Sequence, residues 1–376
     1  MTTETAPKMH LKILGFLKEN IVMCIAFAAA IITSLIVPID REYIGYFDFK
    51  TLTCLFCVLA VVCALRNINF FYVLAREVVC IFKNARMSVL VLVYITFIGS
   101  MFIANDMALL TFLPLGYFVL TATNKTEYMS FTFVMQNIAA NLGGMLTPFG
   151  NPQNLYLYTK FAIPTGEFMQ IMFPPFILSV LLITICCIIF VKPDPLFLCY
   201  TKTPLDPKRT ILYLALFALS IVIVFRVIPY QLGLVIIPAV LLFVDRKALK
   251  AVDYPLLLTF VFFFVFAGNM ARIPAVNSLF SALLEKSTLL SSILSCQVIS
   301  NVPSAILLSQ FTNDYPNLLV GVNIGGTGTL IASLASLITF REYLKHNPRR
   351  AKHYILVFSV FNFSFLAILT AFMYII

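Results

Sequence analysis

Charge is scarce in this chain: only 11% of its 376 residues are charged, where a soluble domain carries roughly 25%. Hydrophobic residues make up 61%, and the mean hydropathy is +0.98. So few charges cannot cover a water-facing surface, which leaves lipid as the main surroundings. The length suits one integral membrane domain with short loops. Metal chemistry finds little to work with. The three histidines, His10, His346 and His353, lie in loops without clustering. Of the nine cysteines, Cys24, Cys54, Cys57, Cys63, Cys186, Cys187 and Cys296 fall in apolar runs without zinc-ligand spacing. Cys54 and Cys57 form a CxxC, but on an apolar run with no βαβ context. HExxH, GxSG and paired GxGD motifs are missing, which excludes the intramembrane proteases. A receptor's soluble signalling domain has no room. No small-residue cleavage site precedes Asp40–Arg41–Glu42, so the first apolar run is read as a retained span rather than a signal peptide.

What remains is apolar runs long enough for helices that span a bilayer, each needing roughly 20 residues. Nine are expected: 20–38, 50–66, 128–158 (interrupted), 168–191, 210–226, 231–244, 254–271, 315–340 (interrupted) and 354–375. Two further stretches, 87–121 and 287–311, carry a polar break at their centres, Asn105–Asp106 and Ser300–Asn301–Val302–Pro303. Arms that short predict two re-entrant helical hairpins. Residues 68–83 have an amphipathic pattern and predict a helix lying in the interface.

The excess of base over acid, +10 overall, would suggest nucleic acid on a soluble protein. Here the basic residues sit in short loops, as the positive-inside rule requires, and no nucleic acid partner is implied. Lys8, Lys12 and Lys18; Arg66, Arg76, Lys83 and Arg86; Lys192, Lys202, Lys208 and Arg209; Arg246, Lys247 and Lys250; and Arg341, Lys345, Arg349, Arg350 and Lys352 all fall on one side if each hairpin returns to the side it entered. The other side keeps only Arg41, Lys50, Lys160, Arg226, Arg272 and Lys286. This places the N-terminus in the cytoplasm and the C-terminus outside. Arg272, at the outer end of its span, reads as a snorkelling anchor.

The chain also repeats itself. The run Asn141-Leu-Gly143-Gly144-Met-Leu-Thr147-Pro-Phe-Gly150-Asn151-Pro-Gln-Asn154 aligns without a gap on Asn323-Ile-Gly325-Gly326-Thr-Gly-Thr329-Leu-Ile-Ala332-Ser333-Leu-Ala-Ser336. Each segment follows a hairpin tipped by an Asn, Asn105 or Asn301. The expected topology sends one segment outward and the other inward. The predicted fold class is therefore an all-α integral membrane protein of two inverted repeats, with about nine transmembrane helices, two re-entrant hairpins and discontinuous helices at the site. Residues 1–191 form the first repeat, 192–230 a linker and extra helix, and 231–376 the second.

Inverted repeats with broken helices at matching positions point to the binding site of a secondary transporter. Glycines and prolines unwind the helices there, and such backbone survives at membrane depth only where it is buried or lines a cavity. Freed carbonyls can hold a cation, and helix N-termini an anion. Asp106 is the one acid inside an apolar stretch. It can bind sodium, carry a coupling proton, repel an anion, or serve as a hydrogen-bonded structural group. A channel is the rival class, but broken inverted helices favour alternating access.

These motifs, NxGGxxTxxGNPxN followed by SNVP and NIGGxGTLIASLAS, resemble the ion transporter superfamily of citrate-transporter-like permeases. That group includes divalent-anion/sodium symporters, arsenite permeases and one type of sodium/proton antiporter. The resemblance implies an elevator-type carrier, usually a homodimer, in the cytoplasmic membrane, with no cofactor beyond a coupling sodium ion or proton. It implies a small anionic substrate, a carboxylate or inorganic oxyanion, with arsenite export or sodium/proton exchange as the alternative. The ion sites it implies are Asn105 with Gly150, Asp106 beside them, and Asn301 with Ala332. Substrate is expected between the tips and the unwound segments, at Asn105, Asp106, Asn141, Thr147, Asn151, Asn154, Ser300, Asn301, Thr327, Thr329 and Ser333. The symporter pattern is Ser-Asn-Thr at both tips. This chain has Ala104-Asn105-Asp106 and Ser300-Asn301-Val302 instead, and an Asn-Asp tip is closer to the arsenite-permease branch.

Overall fold

The computed structural model describes residues 20–79, 81–196 and 205–376, so Lys8, His10, Lys12, Lys18 and Lys202 lie outside the described residues. Those described form helices and no strand, apart from one isolated antiparallel bridge between Asn84 and Pro195. In chain order the helices are α1 (Ile21–Ile36), α2 (Phe49–Asn67), α3 (Phe70–Val79), α4 (Ala85–Phe102), α5 (Asn105–Ala122), α6 (Met129–Gly143), α7 (Pro152–Lys160), α8 (Thr165–Phe190), α9 (Pro207–Val224) and α10 (Tyr230–Val244). They continue as α11 (Arg246–Lys250), α12 (Tyr254–Arg272), α13 (Pro274–Lys286), α14 (Thr288–Ile299), α15 (Asn301–Leu308), α16 (Tyr315–Ile324), α17 (Leu334–His346) and α18 (Ala351–Ile375). Short polar caps start many of them. Asp48, Asn84, Asp253, Ser287 and Asp314 each accept a first-turn backbone N–H of α2, α4, α12, α14 and α16.

Seven of these helices, α2, α4, α5, α8, α9, α12 and α18, are long and apolar enough to cross a membrane, and the chain is a multi-pass membrane protein. Helical segments occur at all nine expected spans. The count by length differs because the two interrupted spans divide into short pieces and two more expected spans form helices of only 16 and 15 residues, α1 and α10, while both arms of the first hairpin qualify on their own.

That last point corrects an expectation. Each arm of the first hairpin has 18 residues, ~27 Å of helix, which is not too short for a hydrocarbon core of ~30 Å. The polar residues before the tip do not shorten α4, because Thr96 and Ser100 donate back to the Leu92 and Phe97 carbonyls of their own helix. The second hairpin is short, with arms of 12 and 8 residues. The amphipathic stretch forms its own helix, α3, separated from α2 by Asn69 at φ 57°.

The long helix α8 is a ruler for the rest. At its C-terminal end, Arg86 donates to the Val191 carbonyl, Lys125 pairs with Asp194 at 2.7 Å, and Asn84 bridges Pro195. The base of the first hairpin therefore lies there. At the N-terminal end of α8, Tyr315 donates to Glu167, and Phe161 packs on Tyr315. The second hairpin, which runs directly into Tyr315, opens there. The two hairpins enter from opposite ends of α8.

Arg272 does more than snorkel. Its guanidinium donates to both carboxylate oxygens of Asp40, pairs with Glu42 at 3.3 Å, and donates to the Tyr46 hydroxyl. It thereby ties the α1–α2 connection to the end of α12. The Arg272 hydrogen bonds hold the Asp40 carboxyl below its usual value of 3.8. A depressed carboxylate pKa gives stability that is present above the unfolded value and lost as pH falls through the folded one. Arg272→Gln is expected to lower the melting temperature slightly at pH 7 and to match wild type once the pH is well below 3.8. Melting curves of both proteins at the two pH values check this.

Candidate functional site

Two broken helices face two hairpin tips. In the first, α6 ends at Gly143, a short 3₁₀ turn covers Gly144–Leu146, Thr147 and Asn151 are extended, and Pro152 opens α7. Pro152 suits that place because a first-turn residue needs no backbone N–H. In the second, α16 ends at Ile324 and α17 resumes at Leu334, capped by the Ser333 hydroxyl. Gly328 sits between them at φ +113°, where a Cβ would run into Gln297 Oε1. The tips are tight as well. Ser300 holds φ 75°, unusual for a residue with a Cβ, and its hydroxyl donates to the Ala332 carbonyl at 3.3 Å.

The two halves make the same bonds. Asn105 Oδ1 accepts from Asp106 N at 3.0 Å, and Asn301 Oδ1 from Val302 N at 2.9 Å. Thr147 donates to the Met101 carbonyl at 2.6 Å, and Thr329 to the Gln297 carbonyl at 3.1 Å, each four residues before its tip Asn. Gly150 N bonds Thr147 O, as Ala332 N bonds Thr329 O. Gly143 packs against Ser100, and Gly325 against Cys296, each five residues before its tip.

Across the middle the bonds exchange partners. Asn141 Oδ1 accepts from Ser333 Oγ at 2.8 Å, while Asn323 Oδ1 accepts from Asn151 Nδ2 at 3.3 Å. Asn141 aligns with Asn323 and Asn151 with Ser333, so each bond is the image of the other. Asn141 Oδ1 also accepts from the tip residue Asn105 at 3.0 Å. Asn323 Nδ2 donates to Asn154 Oδ1 at 2.6 Å, and Gln153 Nε2 reaches Asn323 Oδ1 at 3.4 Å.

The structure thus brings Asn105, Asn141, Asn151, Asn154 and Ser333 into one buried network, each 3% exposed or less. Asn301 N and Ser300 Oγ both donate to the carbonyl of Ala332. Gly150 has no room for a side chain, since a Cβ would meet Gly144 O and Thr147 Oγ1. Other expected site residues are spent differently. Thr147 and Thr329 fasten the unwound segments to the hairpin arms, and Thr327 donates to the Ile324 carbonyl at 2.6 Å. Asp106 is half-buried, and its Oδ1 is buried without a partner. Arg66 reaches Met107 Sδ at 3.9 Å but forms no ion pair with Asp106.

Three residues of the network escaped the sequence reading. Asn323 is the repeat partner of Asn141, and the alignment itself could have nominated it. Gln153 lies inside the Asn-Pro-Gln-Asn run. Gln297 donates to the Gly325 and Thr327 carbonyls and accepts from Thr329 N, which satisfies the backbone the break frees. Its only sequence signal is its place four residues before Asn301.

The network is also incomplete. Asn141 Nδ2, Asn151 Oδ1, Gln153 Oε1 and Ser336 Oγ are buried and unpaired. Orphaned buried polar atoms cost about 1–3 kcal/mol each, so a ligand that bonds to them is favoured. The lining offers neutral amides, hydroxyls and one carboxylate.

This arrangement sits in a sequence that has known relatives. A citrate transporter family profile matches residues 11–314. The chain belongs to the citrate transporter family. The match takes in both hairpins and the first broken helix and stops as the second begins. Among relatives of this family member, an uncharacterized transporter of Methanocaldococcus jannaschii, MJ0456, is 33% identical over 331 residues, covering 86% of this chain and 89% of its own. The inner membrane protein YbiR of Escherichia coli is 31% identical over 282 residues, covering 73% and 74%. The chain is therefore a membrane transporter of this family.

Proposed function

We propose that this transporter is a secondary active carrier of a small anion, a di- or tricarboxylate or an inorganic oxyanion, coupled to sodium ions or protons. The observation that carries the reading is the partner exchange between Asn141–Ser333 and Asn323–Asn151. Bonds related in this way are what two inverted repeats make where they meet, and hairpins opening at opposite ends of α8 support the same relation. Residues 1–191 and 231–376 are then the two repeats. A binding site shared by two such repeats can be exposed to either side by moving one set of helices against the rest, an elevator motion. The loops tied to the C-terminal end of α8 carry the basic residues, which supports a cytoplasmic N-terminus and an outer C-terminus in the cytoplasmic membrane.

Electrostatics supports the coupling. Among the described residues no lysine or arginine donates to the tip residues, and Asp106 adds negative charge when it is ionised. An anion entering such a site is stabilised only if a cation enters with it or a proton neutralises Asp106. The same lining favours one second reading, a neutral oxyacid such as arsenite, which needs no countercharge.

Uptake of labelled citrate, succinate, sulfate and arsenite into proteoliposomes under imposed sodium or proton gradients separates the two. Flux of an anion driven by either gradient is expected. Arsenite flux alone supports the second reading, and no gradient-driven flux of any of the four overturns both. Asp106→Asn, neutral and of the same size, is expected to flatten the dependence of the initial rate on pH or on sodium. A variant with both profiles unchanged leaves Asp106 a structural residue.

A further inference from the structure

Three hydrogen bonds join α6 to α17 and α18 at successive heights. Ser130 Oγ donates to the Tyr343 hydroxyl at 2.8 Å, Asn137 Nδ2 to Asn362 Oδ1 at 3.4 Å, and Ser333 Oγ to Asn141 Oδ1 at 2.8 Å. Ser130, Asn137 and Asn141 are spaced seven and four residues apart, so they share one stripe of α6 that is about 17 Å long. On α17, Ser336 stands seven residues before Tyr343 and shares its face. On α18, Tyr354 stacks on Tyr343 with ring centroids 4.5 Å apart, two turns before Asn362. Three helices therefore line one polar seam. One end lies at the basic loop after α17, where Tyr354 directly follows the exposed Lys352 and His353. The other end is the tip network, at Asn141 and Ser333.

The most exposed residue lining the seam is Ser130, at 7%. Along its length four buried polar atoms have no partner among the described residues: the Tyr354 hydroxyl, Asn137 Oδ1, Ser336 Oγ and Asn141 Nδ2. They comprise one acceptor, one donor and two hydroxyls that can be either. A cation satisfies only acceptors and an anion only donors, whereas water satisfies all four. The fold does not demand this polarity. The alignment that sets Asn141 on Asn323 sets Asn137 on Leu319, which is buried in α16. An orphaned amide oxygen that one half keeps and the other dispenses with points to a use.

We propose that the seam holds a file of buried water that joins the basic-loop end of the molecule to the tip network, and that this file carries the coupling proton. The driving role rests on the carrier reading above; the water file does not. At the network end, Asn141 bonds Asn105, and the next residue is Asp106, whose Oδ1 is itself buried without a partner. Each hop breaks one O–H bond and forms another. A hydronium gives a proton to the next water, and the last water gives it to Asp106, the one carboxylate of the network, whose negative charge is thereby removed. The amides and hydroxyls hold the waters in line and keep their own protons.

The test has two arms. The first is X-ray radiolysis of the purified full chain, in which buried water becomes a local source of hydroxyl radical, read by mass spectrometry. Tyr343 and Tyr354, 1% and 0% exposed, are expected to be oxidised within about tenfold of the rate of the exposed Tyr254. Phe260, also 0% exposed but on α12, away from the seam, is expected to stay unmodified. The second arm is transport, normalised to inserted protein. Asn137→Leu gives the first half the residue that the second half carries at Leu319. It should lower proton-driven flux at least about tenfold and leave exchange without a gradient within about twofold of wild type. Asn137→Ser, small and polar, should keep both. Three results would overturn the proposal: Tyr343 and Tyr354 as protected as Phe260, wild-type flux driven by sodium alone, or full proton-driven flux in Asn137→Leu. If no gradient drives any flux, the carrier reading falls and takes the driving role with it, while the oxidation pattern still decides the water file.

Discussion

Asn141→Ala is expected to lower transport at least about a hundredfold while leaving membrane insertion intact. Asn141 Oδ1 is the single acceptor shared by the first tip, through Asn105, and the second broken helix, through Ser333. Its backbone carbonyl also accepts from Asn151. Removing the amide leaves two buried donors without their acceptor, at about 1–3 kcal/mol each, and about 2.7 kcal/mol is a hundredfold in rate. Asn323→Ala should behave alike, because Asn323 holds Asn151, Gln153 and Asn154 from the other half. Initial rates in proteoliposomes, normalised to inserted protein, measure the effect. A hydrophobic replacement that merely loosened packing would lower yield rather than rate.

Gly143→Ala is expected to destabilise the fold itself. A Cβ there would collide with the Phe97 carbonyl oxygen and stand 2.6 Å from Ser100 Oγ, both in α4. The Phe97 carbonyl belongs to helix backbone and cannot swing aside as a side chain can. Overpacking of this kind costs about 3 kcal/mol. Gly45→Ala is the control, since nothing lies within 4 Å of a Cβ built on Gly45, and such surface changes stay within about 0.5 kcal/mol. Thermal unfolding of both variants in detergent should show a clear loss for Gly143→Ala and none for Gly45→Ala.

These two residues also mark how far the sequence carried the reading. Gly143 and Asn141 stood out because they recur as Gly325 and Asn323, and repetition at one spacing is visible without coordinates. The positions of the helices were legible for the same kind of reason, since apolar length and capping residues are local. Gln153 and Gln297 were not legible. A glutamine in an apolar run has many possible uses, and that Gln297 serves the freed carbonyls of Gly325 and Thr327 depends on a packing partner some 30 positions away. The length of the first hairpin was not legible from its polar break at Asn105–Asp106, because the arms on either side run as helices of 18 residues each. Arg272 read as an anchor because its partners Asp40 and Glu42 lie more than 200 residues earlier.

The asymmetry of the tips survives in three dimensions. Both tip asparagines bond their following N–H, but only the first is followed by an acid, and only the second sits beside a hydroxyl at a strained φ. The two tips thus offer different chemistry, even though the scaffold around them is bonded alike.

The most direct test of the carrier reading is counterflow. Proteoliposomes are preloaded with an excess of whichever unlabelled solute the flux measurements identify, and a trace of the labelled solute is added outside with no imposed gradient of sodium, protons or voltage. Alternating access at a shared site is expected to draw label inward transiently, above its outside concentration, in wild type and not in Asn141→Ala. Label that only equilibrates in wild type, or that overshoots equally in Asn141→Ala, contradicts a carrier built around this network.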